Sequence, residues 1–148
     1  MKKAVKLVAL LSVMGLIYYF SSQPSYDSTI TTNSVVKVIY DVYSCLFKNA
    51  YSYDAFCDYF FQPIRKLAHF SEFGLLGLIS YINSKEYFEK NHVLYSLAFS
   101  ALYATSDEIH QIFVYGRYCS FIDVLIDTCG ALCAILLIHI INKKCLKK

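Results

Sequence analysis

The feature that most constrains this fold is the distribution of charge along four apolar segments, residues 4–20, 65–82, 93–114 and 120–141. Each segment is close to the length that crosses a bilayer as a helix. The last three carry acidic residues, and in each of them the acids lie in one half only. A charged side chain at the bilayer centre costs at least about 2.5–3.5 kcal/mol. We therefore expect these acids to face one another between helices and to form a site.

Composition agrees with a membrane protein. Of 148 residues, 57% are hydrophobic, and there are 14 Tyr and no Trp. Tyrosine is enriched where a membrane meets water, because its ring is apolar and its hydroxyl is polar. The sequence predicts an all-α fold, a polytopic transmembrane helical bundle with about four spanning helices, formed by a single domain over residues 1–148.

Residues 21–64 are predicted to form an extracytoplasmic segment between the first two spanning helices. One stretch has the apolar spacing of an amphipathic helix lying on the membrane surface, and a partly ordered loop is the alternative. Pro63 is predicted to open the second spanning helix, since the first helical turn tolerates proline. An extracytoplasmic location leaves a disulfide between Cys45 and Cys57 as an open possibility. The apolar stripe of the stretch consists of Val35, Val38, Ile39, Val42 and Leu46.

Small residues at helical spacing predict where the spanning helices approach one another. Gly74 and Gly77 lie three residues apart on the second segment, and Gly130 with Ala134 lies on the fourth. Such residues let two helix backbones come close together, which is common in membrane bundles.

Basic residues predict the orientation. They cluster at both chain ends and in the turn around Lys85 and Lys90, and positive charge is enriched on the cytoplasmic side of membrane proteins. Both termini are therefore predicted to be cytoplasmic, and no nucleic-acid partner is expected. The first segment could also be a signal peptide, but the residues after it lack a typical cleavage site, which favours an uncleaved helix. The terminal clusters are Lys2, Lys3, Lys6, Lys143, Lys144, Lys147 and Lys148.

This orientation places the polar residues of three segments at the same, outer level. Residues three, four and seven apart share a helix face, so each group points into one space. The pattern predicts an acid-rich pocket open to the outer surface, with Arg65, Lys66 and Arg117 as counter-charges. Its other members are His69, Glu72, Asp107, Glu108, Gln111, Asp123 and Asp127.

Three other interpretations of these residues stay open. Their charges could form ion pairs that only hold the bundle together. His69-x-x-Glu72 and Asp107-x-x-His110 have a spacing found among metal ligands on helices, but this spacing is too common to predict a metal. No metal and no cofactor is expected. A proton or ion pathway is disfavoured because the inner halves of the helices are mostly apolar.

Two stretches resemble the motifs of a known family. Residues 65–73, RKLAHFSEF, resemble the motif K-x-x-H-F-x-E followed by Tyr or Phe of VanZ-like membrane proteins. Residues 106–117, SDEIHQIFVYGR, resemble their motif S-D-E-x-x-Q-x-F-x-P-G-R, and residues 120–130 match its continuation with Asp, Asp or Asn, and Gly. Tyr115 departs from the pattern, because the family usually has Pro at this position.

The resemblance spans residues 5–141 and carries functional positions onto this sequence. It implies an integral membrane protein of bacteria, in a family named for a protein that raises resistance to the glycopeptide antibiotic teicoplanin. It implies no established biochemical activity. The carried-over positions are Lys66, His69, Glu72, Asp107, Glu108, Gln111, Gly116, Arg117, Asp123 and Asp127.

The leading hypothesis is a cell-envelope protein in a bacterial cell membrane, linked to teicoplanin resistance through the family. Its outer-leaflet pocket would bind a lipid-linked or cell-wall-related ligand, or the lipid part of a lipoglycopeptide. Arg65 and Arg117 suit phosphate or carboxylate groups, since a guanidinium binds them through two hydrogen bonds. The alternative is a membrane-embedded enzyme acting on a lipid or polyprenyl-linked substrate, with His69 as general base oriented by Glu72. Its candidate catalytic residues are His69, Glu72, Asp107 and Glu108.

Overall fold

The computed structural model describes residues 3–47 and 51–145, which form five α-helices. Of these residues 86% are helical and none lies in a strand, which confirms the all-α class. Three lysines of the topology argument, Lys2, Lys147 and Lys148, lie outside the described residues. The helices are α1 (Lys3–Ser21), α2 (Ser25–Leu46), α3 (Tyr53–Tyr87), α4 (His92–Gln111) and α5 (Phe121–Cys145).

Two of the described helices are long and apolar enough to cross a membrane. They are α1, over Lys3–Ser21, and α5, over Phe121–Lys143. The predicted span 65–82 lies within α3, and most of the predicted span 93–114 lies in α4. Both helices are less apolar because they carry more polar side chains. A membrane crossing by α3 and α4 therefore stays a prediction.

The third apolar segment ends earlier than predicted. Helix α4 ends at Gln111, whereas the predicted span continues to residue 114. The N–H groups of Ile112, Phe113 and Val114 each donate to the carbonyl three residues back. Such bonds tighten the chain into turns and end an α-helix.

Pro63 lies inside α3, so the prediction that it opens a helix is wrong. The helix begins at Tyr53, because Ser52 caps it: the Ser52 hydroxyl accepts a hydrogen bond from the Ala55 N–H at 3.4 Å. A proline inside a helix costs about 3 kcal/mol, and this cost must be offset by packing of the residues before it.

That packing comes from α2, which confirms the predicted helix within residues 21–64. The ring of Phe56 on α3 lies 5.4 Å from that of Tyr40 and 5.2 Å from that of Tyr43, between centroids. Val36 is the buried residue of α2. The predicted apolar stripe faces away from the protein, as a helix in a membrane surface requires. Its exposed members are Val35, Val38, Ile39, Val42 and Leu46.

The two cysteines of this region are not joined. Cys45 is exposed, Cys57 is half-buried, and both thiols are free. A hydrogen bond from the Tyr40 hydroxyl to the Tyr51 carbonyl oxygen, at 3.0 Å, joins α2 to the residues just before α3.

Helices α3 and α5 meet backbone to backbone, which confirms the prediction from small residues. A Cβ on Gly130 would lie 2.1 Å from the carbonyl oxygen of Phe70, and one on Gly77 would lie 2.7 Å from Ala131. Gly74 faces Gly130, whose carbonyl oxygen would be 3.4 Å from its Cβ. This close crossing brings the polar first half of the predicted span on α3 beside the polar first turns of α5.

Helix α3 is the centre of the bundle, since both apolar clusters of the core include it. The cluster that joins α1, α3 and α4 consists of Val13, Ile17, Phe73, Leu76 and Ala104. The cluster that joins α3 and α5 consists of Tyr81, Ala131 and Ile135. The polar residues of the predicted site occupy the end of the bundle beyond the first cluster.

Candidate functional site

A cavity of about 300 Å³ lies where the start of α2, the middle of α3, the end of α4 and the start of α5 meet. All but two of the predicted site residues line it, so helical spacing and antiparallel packing do bring them together. The exceptions are Glu72 and Asp107, which contact residues of the wall. The predicted residues in the wall are Arg65, Lys66, His69, Glu108, Gln111, Arg117, Asp123 and Asp127.

Asp107 is buried and bonded within the protein. Its Oδ2 accepts hydrogen bonds from Ser21 Oγ at 2.7 Å and from Gln111 Nε2 at 3.1 Å. Ser21 is the last residue of α1. Asp107 therefore joins the end of α1 to the end of α4, and it reaches the cavity only through Gln111.

Glu108 fixes the start of α5. Its Oε2 accepts a hydrogen bond from the backbone N–H of Ser120 at 2.8 Å, and its Oε1 accepts one from Gln111 Nε2 at 3.2 Å. The Ser120 hydroxyl in turn accepts from the N–H of Asp123 at 3.3 Å. A carboxylate at a helix N-terminus is favoured because the free N–H groups carry partial positive charge.

Arg117 is anchored to the end of α1. Its Nε donates to the Gln23 carbonyl oxygen at 2.9 Å, its Nη2 to the Phe20 carbonyl oxygen at 3.1 Å, and its Nη1 to Gln111 Oε1 at 3.3 Å. A cation at this end also complements the helix dipole. Burial, and then the positive charge of Arg65, lower the pKa of Arg117 from its ordinary value, but a guanidinium stays charged.

The turn that carries Arg117 closes without the proline usual in the family motif. Gly116 has φ +75°, a left-handed conformation that glycine adopts without strain. The carbonyl oxygen of Tyr115 accepts a hydrogen bond from the Ser25 N–H at 3.1 Å, and the Arg117 N–H donates to the Val114 carbonyl oxygen at 3.1 Å. These bonds define the position of the guanidinium.

Lys66 and Asp123 form an ion pair across the cavity mouth. The Lys66 Nζ lies 2.9 Å from Asp123 Oδ1, and both side chains are partly exposed. An ion pair of this kind contributes about 0–1 kcal/mol. Its main effect is to hold one positive and one negative charge at the rim.

His69 and Glu72 are neighbours on α3 but do not form a hydrogen bond. The Nδ1 of His69 lies 3.9 Å from Glu72 Oε2, beyond hydrogen-bond distance. The His69 Nδ1 is buried and has no partner among the described residues. Since His69 lines the cavity, its ring lies beside any group that enters.

Asp127 is the buried acid of the wall. The residue is 1% exposed, and its Oδ1 is buried without a hydrogen-bond partner among the described residues. Buried carboxylate oxygens normally have a donor. Asp127 thus differs from Asp107 and Glu108, whose donors come from the protein.

Comparison with known families identifies the chain. The model of the VanZ/LLP1 family matches residues 6–142. The chain belongs to the VanZ/LLP1 family. The resemblance drawn from the two motifs is thereby confirmed, and the match includes every residue of the cavity wall. No curated protein and no solved structure matches the chain significantly.

Several polar residues of this VanZ/LLP1 site were missed by the sequence analysis. Ser21 bonds Asp107, Ser25 lines the cavity, and Ser120 links Glu108 to α5. The sequence feature that could have identified these serines is their position, since they lie where apolar segments end or begin. Spacing alone does not reveal that the end of α1 meets the end of α4.

The two metal-like spacings do not converge in the VanZ/LLP1 fold. His110 turns toward α1, where its Nε2 lies 3.1 Å from Ser22 Oγ and its ring packs on Tyr18 at 4.7 Å. Within residues 3–47 and 51–145, no group of three or more His, Cys, Asp or Glu side chains is arranged to hold a metal ion.

Proposed function

We propose that this VanZ/LLP1 protein is a multi-pass protein of the bacterial cell membrane whose cavity binds the polar part of a lipid-linked or cell-wall-related ligand. The observation that carries the proposal is the charge around the cavity. Arg65, Lys66 and Arg117 line the same space of about 300 Å³ as the unpartnered Asp127. The Oδ1 of Asp127 has no partner among the described residues, whereas groups that served only to hold the bundle together would be expected to pair with one another.

In the proposed topology four helices cross the membrane, with α3 and α4 joining α1 and α5. Two contacts support an alternating arrangement. The ion pair of Lys6 with Glu86 sets the start of α1 beside the end of α3, and the bond between Ser21 and Asp107 sets the end of α1 beside the end of α4. The lysine-rich end would face the cytoplasm, so the cavity would lie in the outer leaflet.

The exposed apolar stripe of α2 supports the same depth of the cavity in the membrane. Val38, at its centre, is 64% exposed, and no described residue covers the stripe. A helix with this pattern lies in the membrane–water interface with its apolar face toward lipid. Since the start of α2 lines the cavity, the cavity would lie at the level of lipid head groups.

Native mass spectrometry of the detergent-purified protein tests ligand binding. We expect the wild type to retain a lipid or lipid-linked intermediate with an anionic group, and Arg65→Gln/Lys66→Gln to retain about tenfold less. The control is Lys37→Gln, an exposed lysine on α2 away from the cavity. A wild type that carries no such ligand, or an equal loss in the control, would contradict the proposal.

A role in teicoplanin resistance is proposed on family membership, with the cavity receiving charged groups of the antibiotic or of its cell-wall target. The polar wall suits such groups better than it suits an acyl chain. Expression in a susceptible bacterium is expected to raise the inhibitory concentration of teicoplanin, and the Arg65→Gln/Lys66→Gln variant is expected not to. An unchanged inhibitory concentration with the wild type would remove this role.

A lipid-modifying enzyme is the second candidate, and one observation favours it. His69 lines the cavity with a buried, unpartnered Nδ1. The distance of 3.9 Å to Glu72 leaves this base without the orienting hydrogen bond that the hypothesis requires. Turnover of a membrane lipid that is lost in His69→Gln, with lipid retention unchanged, would favour the enzyme over a binding protein.

A further inference from the structure

Most charges around the cavity are paired with groups of the protein itself. Glu108 accepts hydrogen bonds from the Ser120 N–H and from Gln111. Asp123 is paired with Lys66. The hydrogen-bonding capacity of these groups is therefore largely satisfied without a ligand.

Asp127 is the carboxylate that remains. It lies one turn beyond Asp123 on α5, it lines the cavity, and the residue is buried. Its Oδ1 has no donor among the described residues. A buried acceptor without a donor is unfavourable, and a donor on a molecule inside the cavity would satisfy it.

Arg65 is the cation that remains. Arg117 already donates three hydrogen bonds to Gln23, Phe20 and Gln111, and Lys66 is paired. Arg65 lines the same cavity and has no hydrogen bond or ion pair within the part of the chain that the structure describes. One cation and one carboxyl group without a partner among the described residues therefore line a single space.

We infer that the cavity takes a zwitterionic head group, whose primary ammonium donates to Asp127 and whose phosphate accepts from Arg65. The inference rests on the proposed function and names the ligand class. The anionic head group of phosphatidylglycerol offers Asp127 only neutral hydroxyl donors, which form weaker hydrogen bonds with a carboxylate than an ammonium does. A trimethylated ammonium has no N–H to give. The volume of about 300 Å³ lies at the lower end of ligand pockets, roughly 300–1,000 Å³, which suits a head group rather than a whole lipid.

The test compares lipids that differ only in the head group. The full-length protein is exchanged into micelles containing phosphatidylethanolamine, phosphatidylglycerol or phosphatidylcholine, and bound lipid is counted by native mass spectrometry. We expect about tenfold more phosphatidylethanolamine than either other lipid. Soluble phosphoethanolamine is expected to compete with phosphatidylethanolamine, because the cavity holds the head group.

Variants separate the two charges. Asp127→Asn is expected to reduce phosphatidylethanolamine retention about tenfold and to reduce phosphatidylglycerol retention much less. Arg65→Gln is expected to reduce both. Asp41→Asn, an exposed acid on α2 outside the cavity, is the control and is expected to change neither. If Asp127→Asn does not fold, the wild-type protein is tested with phosphatidylethanolamine whose amine carries one, two or three methyl groups. The retention of lipid is then expected to fall as N–H groups are lost.

Equal retention of phosphatidylethanolamine and phosphatidylglycerol by the wild type would overturn the inference and leave the proposed lipid binding intact. The same holds if phosphatidylcholine binds as well as phosphatidylethanolamine, or if phosphoethanolamine does not compete. Retention of no lipid at all, from micelles or from the cell, would instead remove the proposed function on which the inference rests.

Discussion

The charged residues of the site differ in what they bond to, although the sequence presents them as one group. Asp107 and Arg117 bind the end of α1, through Ser21 and through the carbonyls of Phe20 and Gln23. The Oδ1 of Asp127 has no hydrogen-bond partner in residues 3–47 and 51–145. Helical spacing predicts that such residues meet, because it fixes the face on which each one lies. It does not predict the partner, which depends on side-chain rotamers and on helices distant in sequence.

The close contact of Gly130 with α3 gives a prediction for a single residue. The change Gly130→Ala is expected to destabilise the protein by about 1–3 kcal/mol or more, because its Cβ would lie 2.1 Å from the Phe70 carbonyl oxygen and would push α3 from α5. Thermal unfolding in detergent measures the effect. Gly15→Ala is the control, since no atom lies within 4 Å of its Cβ. It is expected to be neutral or stabilising by up to about 1 kcal/mol, and an equal loss in both variants would contradict the close-contact argument.

Of the five helices, α3 shows which features of a helix the sequence predicts and which it does not. The apolar run 65–82 marks its middle, and Gly74 with Gly77 marks the face that meets α5. The predicted start at Pro63 is wrong because proline is common in a first helical turn. The cap at Ser52 and the aromatic contacts with α2 instead stabilise a helix that continues through the proline. A local propensity is overridden here by packing between elements.

The contact between α1 and the end of α3 gives a pH-dependent prediction. A hydrogen bond from Lys6 lowers the pKa of Glu86 below its ordinary value of 4.5. The folded protein therefore favours the charged carboxylate more than the unfolded chain does. The pair stabilises the fold above about pH 4.5, and this contribution is lost as pH falls through the lowered pKa.

Thermal unfolding of Glu86→Gln and wild type across pH 3 to 7 checks it. The wild type is expected to be the more stable at neutral pH, by a small margin that salt reduces, and the two are expected to converge at acid pH. Glu89→Gln, an exposed neighbour, serves as the control. A difference between Glu86→Gln and wild type that persists at the acid end would mean that the side chain acts by packing and not by charge.

For the whole molecule, composition and apolar length were enough to predict an all-α membrane protein, and the two motifs were enough to place it in the VanZ/LLP1 family. Composition and apolar length do not establish the number of spanning helices. Helices α3 and α4 carry the polar residues of the site, such as His69, Glu72 and Asp107, and these residues lower the apolarity by which a span is recognised. The single domain over residues 1–148 likewise stays a prediction.

The proposed topology predicts which thiols are accessible from outside the cell. In a variant with Cys45 as its sole cysteine, a membrane-impermeant maleimide is expected to label intact cells, because the end of α2 would lie on the outer surface. A cysteine-free variant carrying Lys90→Cys is expected to be labelled only after permeabilisation. Both positions are exposed in the structure, so the reverse pattern would invert the topology and place the cavity in the cytoplasmic leaflet.

The anchoring of Arg117 has a consequence for genetic screens in this family. Its three hydrogen bonds bind the loop before α5 to the carbonyls that end α1 and to Gln111. Replacing it would loosen the end of the first helix, which would then be attached to α4 through the bond between Ser21 and Asp107. An inactive Arg117 allele would therefore be expected to accumulate less protein in the membrane, whereas an inactive Arg65 or Asp127 allele would be expressed normally. Measuring the amount of protein together with the phenotype would thus distinguish substitutions that impair assembly of the bundle from substitutions that impair ligand binding.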